Sequence, residues 1–180
     1  FGKWHDIEVE DDVTAYLEYE NGATGIFVTT TGEAGGTNRL EVVGDKGKLV
    51  AEGEKLIYTS LSVGASEFSK TSQSGFMEPD KTITEVETDG MNEQHKGIRD
   101  AFAAHILHGT PLTAGGEEGI NGLTLSNAMH LSSWTGREVE LPFDDEEFYA
   151  LLMERVATSR RKENGKTVVS DLSGTYNSGK

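Results

Sequence analysis

Val13-Thr-Ala-Tyr-Leu-Glu-Tyr-Glu-Asn-Gly-Ala-Thr-Gly-Ile-Phe-Val-Thr-Thr-Thr31 alternates in polarity on both sides of one Asn-Gly pair. In an extended chain Val13, Ala15, Leu17 and Tyr19 face one way, and Thr14, Tyr16 and Glu18 the other. Asn21-Gly22 suits a turn needing positive φ twice, so the spacing predicts a β-hairpin whose return strand runs over 23–31. A two-residue loop pairs Glu20 with Ala23. It then sets Leu17 opposite Ile26, Ala15 opposite Val28, Tyr16 opposite Phe27 and Thr14 opposite Thr29. One face is aliphatic. The other, with Thr14, Tyr16, Phe27 and Thr29, is too apolar for a preferred solvent surface and is expected to pair subunits of a homo-oligomer.

Outward from the hairpin, a Gly-rich loop over 32–37 leads to short strands at about 39–43, 48–52 and 55–59, with a further strand near 81–87. The stretch 60–90 is otherwise polar and weakly patterned, a long excursion. Then the period changes. Ile98, Phe102 and Ile106 make a helical stripe stopped by Gly109-Thr-Pro111. A second helix begins near Glu117, carries Ile120, Leu123, Asn127, Leu131 and Trp134, and ends at Gly136. A third is capped by Asp144 with Glu147 closing a capping box, buries Phe148, Leu151, Leu152 and Val156, and ends at Gly165. Strands followed by helices predict an α+β fold: an open-faced, mainly antiparallel sheet with helices on one face. Residues 1–163 read as one domain and 164–180 as a loosely ordered tail.

The chain of 180 residues has a net charge of −15 and no cysteine. Six basic and two acidic side chains lie within 155–180, so the acidic excess falls on the rest. Such a surface repels phosphate backbones and speaks against nucleic-acid partners. Arg160-Arg-Lys162 reads as a last helical turn favoured by the dipole. No apolar run reaches the length of a membrane span, and thiolate chemistry is excluded.

No Gly-x-Gly-x-x-Gly, Walker loop or Gly-x-Ser-x-Gly elbow occurs. Gly44-Asp-Lys-Gly47 lies between strands and reads as a turn. His105 and His108 have the i, i+3 spacing of a shared metal site, but no third ligand accompanies them; they and His130 read as packed or surface histidines. His95 stands where a loop becomes a helix, with Asn92 as either pocket wall or N-cap. Trp4-His5 offers an aromatic platform beside a titratable ring, or strand-end packing. The most suggestive segment is Thr31-Gly-Glu-Ala-Gly-Gly-Thr-Asn-Arg39. Its small residues admit a ligand, while Glu33, Thr37, Asn38 and Arg39 offer donors and acceptors; the alternative is a flexible connection with Arg39 in a surface salt bridge.

The run Glu10-Asp-Asp-Val-Thr-Ala-Tyr-Leu-Glu-Tyr-Glu-Asn-Gly-Ala-Thr-Gly25 resembles the Gfo/Idh/MocA family of glucose–fructose oxidoreductase, inositol dehydrogenase and MocA-like proteins. So do Asn38-Arg-Leu-Glu-Val-Val-Gly-Asp-Lys-Gly-Lys-Leu49 and Gly116-Glu-Glu-Gly-Ile-Asn-Gly-Leu-Thr-Leu-Ser-Asn127. The resemblance implies a two-domain oxidoreductase. A Rossmann domain would bind NAD or NADP, and this C-terminal domain would bind a sugar or polyol and oligomerise. The family's Glu-Lys-Pro lysine and its Asp and His have no counterpart here and are expected upstream, so no catalytic residue is carried over and no cofactor or metal is expected on this chain. Glu33, Thr37, Asn38 and Arg39, with Trp4, His5 and His95 as neighbours, are then the expected substrate side. The alternatives are a non-catalytic binding module of the same fold and a glycoside hydrolase relative using bound NAD. A cytoplasmic setting is expected.

Overall fold

The computed structural model describes residues 7–91 and 93–160. They carry six strands and four helices: β1 Asp12–Glu18, β2 Thr24–Thr30, β3 Arg39–Gly44, β4 Gly47–Glu52, β5 Lys55–Leu61, α1 Ala65–Thr71, β6 Lys81–Val86, α2 Gln94–His108, α3 Gly119–Thr135 and α4 Asp145–Thr158. A 3₁₀ turn, Gly116–Glu118, leads into α3. The strands form two open antiparallel sheets, β1-β2 and β3-β4-β5-β6, so the class is α+β as the two periodicities imply. Two compact units result. One holds Asp11–Val13 and Val28–Gly115; the other holds 7–10, Thr14–Phe27 and 116–160.

In the first unit the four-stranded sheet is a meander whose first two turns, at 45–46 and 53–54, are legible in the chain. Arg39 pairs with Glu52, Val42 with Leu49, Leu49 with Tyr58 and Tyr58 with Thr84. Alternation then sorts the side chains. One face gathers Leu40, Val42, Leu49, Ala51, Leu56, Tyr58 and Val86; the other carries Arg39, Glu41, Lys48, Glu52, Lys55 and Glu85 around Val50, Ile57 and Ile83.

Gly44-Asp-Lys-Gly47 is a turn, and it does more than reverse the chain. Gly47 has φ +141, and a Cβ there would stand 2.0 Å from the carbonyl oxygen of Thr59, so only glycine lets β4 lie this close to β5. Asp45 accepts from Ser66 N–H at 2.8 Å through its side chain and from Ala65 N–H at 2.8 Å through its carbonyl. It thus caps α1 from another segment and crowds Gly64, where a Cβ would meet Asp45 Oδ2 at 2.4 Å. The backbone N–H of Ser66 holds the Asp45 carboxyl below its ordinary range. α1 itself lies within the stretch expected to be irregular, because its cap comes from residue 45 and leaves no local signal.

The hairpin forms, but one residue away from the expected register. Gly22 N–H donates to Tyr19 O at 2.8 Å, and Tyr19 N–H to Ala23 O at 3.0 Å. Thr31 N–H donates to Asp11 O at 2.8 Å at the open end. The loop is therefore three residues, Glu20-Asn21-Gly22, with Gly22 alone at positive φ (+82). Asn21 keeps negative φ and accepts from Ala23 N–H at 3.0 Å, a local bond that favours this turn over the two-residue one. Tyr16 consequently faces Ile26, Ala15 faces Phe27 and Val13 faces Thr29. Leu17 lies beside Gly25, where a Cβ would touch its side chain at 3.5 Å. Thr14 and Tyr16 thus do not share a face with Phe27 and Thr29, contrary to the sequence expectation. Tyr16 and Ile26 are 63% and 75% exposed on the same side.

In the second unit α3 and α4 pack through aromatic rings. Trp134 stacks on Phe148 (centroids 5.4 Å, 16°), Phe143 adjoins Phe148, and the Arg155 guanidinium lies 4.0 Å from the Trp134 ring centroid. Leu131 is the one buried side chain among the described residues. The amino-terminal half of α3 does not follow: Ile120 and Leu123 remain exposed. Gly109 and Gly136 end α2 and α3 in left-handed conformation, as expected. Asp144 caps α4 by accepting from Glu146 N–H at 3.0 Å. The expected capping box is not made, because Glu147 pairs with Arg137. α4 ends at Thr158 with Ser159 as its cap, before the expected Gly165. Arg160 therefore lies past the last turn, and 161–180 fall outside the described residues.

Candidate functional site

Four of the expected site residues, Glu33, Thr37, Asn38 and Arg39, sit on one continuous junction running from the loop after β2 into β3. The loop leaves β2 through Thr30, whose hydroxyl accepts from Gly32 N–H at 3.0 Å, and turns at Gly35 (φ +79). All four side chains are exposed.

Arg39 is the fixed point of this junction. Its two terminal nitrogens donate to Glu41 and to Glu52, and Lys48 Nζ reaches the second oxygen of Glu41 at 3.2 Å. The hydrogen bond that Arg39 donates to Glu41 raises the affinity of Arg39 for its proton and keeps the Glu41 carboxyl below its ordinary range. A guanidinium carries five N–H donors, so a fork bound on two still presents others at fixed geometry. The ladder Arg39–Glu41–Lys48–Glu52 was not singled out in the sequence. It was nonetheless readable there, since an Asp45-Lys46 turn places Arg39 opposite Glu52.

His95 is the second residue of α2, after Gln94 at φ +46, the one non-glycine residue with positive φ among those described. Such a conformation is strained for glutamine and persists where surroundings impose it. Trp4, His5 and Asn92 lie outside the described residues. His105 Nδ1 is 2.8 Å from Thr110 O, holding the end of α2 to the following loop. His130 Nε2 lies 3.2 Å from Glu10 Oε1, with the ring against Trp134. Among the described residues no group of three or more His, Asp or Glu is placed to hold a metal ion, and no helix is long and apolar enough to cross a membrane.

A shallow hollow over Leu131 is ringed by Arg137, Glu138, Val139, Phe143 and Asp144. Of its polar groups, Arg137 is engaged with Glu147 and Asp144 with the first turn of α4.

Comparison with known proteins agrees with this architecture. No curated protein matches the chain. Residues 2–141 match the family model described as the oxidoreductase family, C-terminal alpha/beta domain, of the Gfo/Idh/MocA group. Open antiparallel sheets, the hairpin and the following helices are thus the C-terminal α/β domain of a Gfo/Idh/MocA-family oxidoreductase, the family to which this chain belongs.

Proposed function

We propose that this domain forms the substrate side of an NAD(P)-dependent oxidoreductase that transfers hydride to or from a sugar or polyol. The observation that carries the reading is the junction at Arg39. A glycine-rich loop carrying Glu33, Thr37 and Asn38 leads directly into Arg39, whose guanidinium is already oriented by Glu41 and Glu52. Polyhydroxylated substrates need several donors and acceptors at fixed spacing, and an oriented fork loses little freedom on binding a hydroxyl. These groups would orient the reacting carbon and leave proton transfer to residues elsewhere.

The described residues do not fit a dinucleotide. Every strand pair is antiparallel, so there is no strand–helix crossover to aim a helix N-terminus at a pyrophosphate, and the glycine fingerprint does not occur. The nicotinamide group, when bound, supplies the hydride acceptor or donor from another domain of the whole enzyme. Self-association belongs to the same reading. The exposed hairpin face, now with Thr14, Tyr16 and Ile26, has the aromatic and aliphatic make-up of an interface core.

The experiment is steady-state kinetics of the full-length enzyme over a panel of sugars and polyols with NAD and NADP. Turnover of one class, weakened by Arg39→Ala, supports the reading. Binding without turnover supports a non-catalytic module, and release of a sugar from a glycoside supports a hydrolase.

A further inference from the structure

We propose that the β6 edge is a self-complementary strand through which two copies of this chain join their four-stranded sheets. Among the described residues β6 pairs with β5 alone, so its outer side presents unpaired backbone groups. Proteins commonly block such edges with charges or bulges. Here the charges complement one another in one central register.

In an antiparallel pair, facing residues point to the same side of the sheet and either both or neither make the bonded pair. For a strand pairing with its own copy about a two-fold axis, the two residue numbers must therefore add to an even value. Of the two registers nearest the middle of Lys81–Val86, one sets Ile83 against its own copy. It then places Lys81 opposite the copy's Glu85, Glu85 opposite the copy's Lys81, and Thr82 opposite the copy's Thr84, twice. Lys81, Ile83 and Glu85 share the charged face of the sheet, so two ion pairs flank one apolar contact. Thr82 and Thr84 share the other face. Moving the centre to Thr84 sets Ile83 against Glu85, and moving it to Thr82 sets Lys81 against Ile83. Both registers lose the central contact.

The opposite edge lacks this property. Centring β3 on Glu41 brings two like charges together, and centring it on Val42 sets Glu41 against Val43, so neither register has an ion pair within the strand. The groups on β6 are also available. Ile83 is 65% exposed, while Lys81 and Glu85 are held only by the exposed partners Glu78 (2.6 Å) and Lys55 (3.2 Å). The partner is thus a second copy of the chain, and the product is one continuous eight-stranded sheet. This contact is independent of the hairpin face.

Charge reversal tests it, with mass read by sedimentation equilibrium of the full-length protein and folding checked by circular dichroism. Lys81→Glu alone, or Glu85→Lys alone, turns both ion pairs into repulsions and should weaken this association roughly tenfold or more, halving the mass. An equimolar mixture of the two single variants re-forms both ion pairs across a heterodimer and should restore the wild-type mass. So should the double variant K81E/E85K. A monomeric wild type, single variants that keep the wild-type mass, or a mixture that stays at half mass overturns the proposal.

Discussion

Arg39 and Glu52 face each other across β3 and β4, and the guanidinium of one donates to the carboxylate of the other at the point where the glycine-rich loop enters the sheet. The same guanidinium binds Glu41, which also accepts from Lys48. A strand pairing dictated by one turn therefore anchors the end of the glycine-rich loop, which carries several polar side chains.

This ladder and the Asp45 cap predict how the domain responds to acid. Glu41 is lowered chiefly by its bond from Arg39, and Asp45 chiefly by the Ser66 N–H. A carboxyl with a lowered folded-state pKa contributes stability above its unfolded value and loses it as pH falls through the folded value. Stability is thus expected to be flat at neutral pH and to fall below the ordinary carboxylate range. Asp45→Asn keeps an acceptor but cannot titrate. Urea unfolding across pH should show a shallower acid limb in this variant than in wild type.

Gly47→Ala should be among the most damaging single changes in the first unit. Its φ of +141 and the 2.0 Å approach to Thr59 O leave no room for a methyl group. A loss of about 3 kcal/mol is expected, measured by chemical denaturation. Gly35→Ala, with open space around it, should cost about 1 kcal/mol through φ alone.

The register of the hairpin can be read by cross-linking. Tyr16 and Ile26 form a pair without backbone bonds, the kind whose Cα atoms approach to about 4.5 Å. The double variant Tyr16→Cys/Ile26→Cys should oxidise to an intrachain disulfide, seen as a mass loss of about two protons per chain. Tyr16→Cys/Phe27→Cys should not, since those side chains point to opposite faces. Efficient oxidation of the second pair instead would restore the two-residue loop.

Helix packing in the second unit rests on Trp134. Trp134→Ala removes the Phe148 stack and the seat of Arg155 and should cost about 3 kcal/mol. Arg155→Ala should cost about 0.5–1 kcal/mol. Thermal unfolding followed by far-ultraviolet circular dichroism, which reports helix in both variants, separates the two.

Much of this architecture was legible because its signals are local. Period-two alternation and the glycine-bounded turns placed the strands of the meander, and Gly109, Gly136 and Asp144 marked helix ends. What escaped depends on contacts or on small differences between turns. The helix α1 takes its cap from residue 45, beyond any local pattern. The hairpin slipped by one residue because Asn-Gly serves both two- and three-residue loops, and the Asn21 bond to Ala23 decides between them. Glu147 was free to close a capping box, but Arg137 took it. For the candidate site, the loop residues were visible as a composition. The carboxylates that hold Arg39 emerge only when the strands are paired.

The most direct test of the functional reading is kcat/KM of Arg39→Ala in the full-length enzyme on its best substrate. If the guanidinium orients substrate hydroxyls, kcat/KM should fall roughly tenfold to a hundredfold while the midpoint of thermal unfolding changes little. Glu33→Ala and Asn38→Ala should fall in the same direction. A change in kcat/KM below about twofold for Arg39→Ala, with the fold intact, would contradict the account and leave Arg39 as a surface ion pair with Glu41 and Glu52.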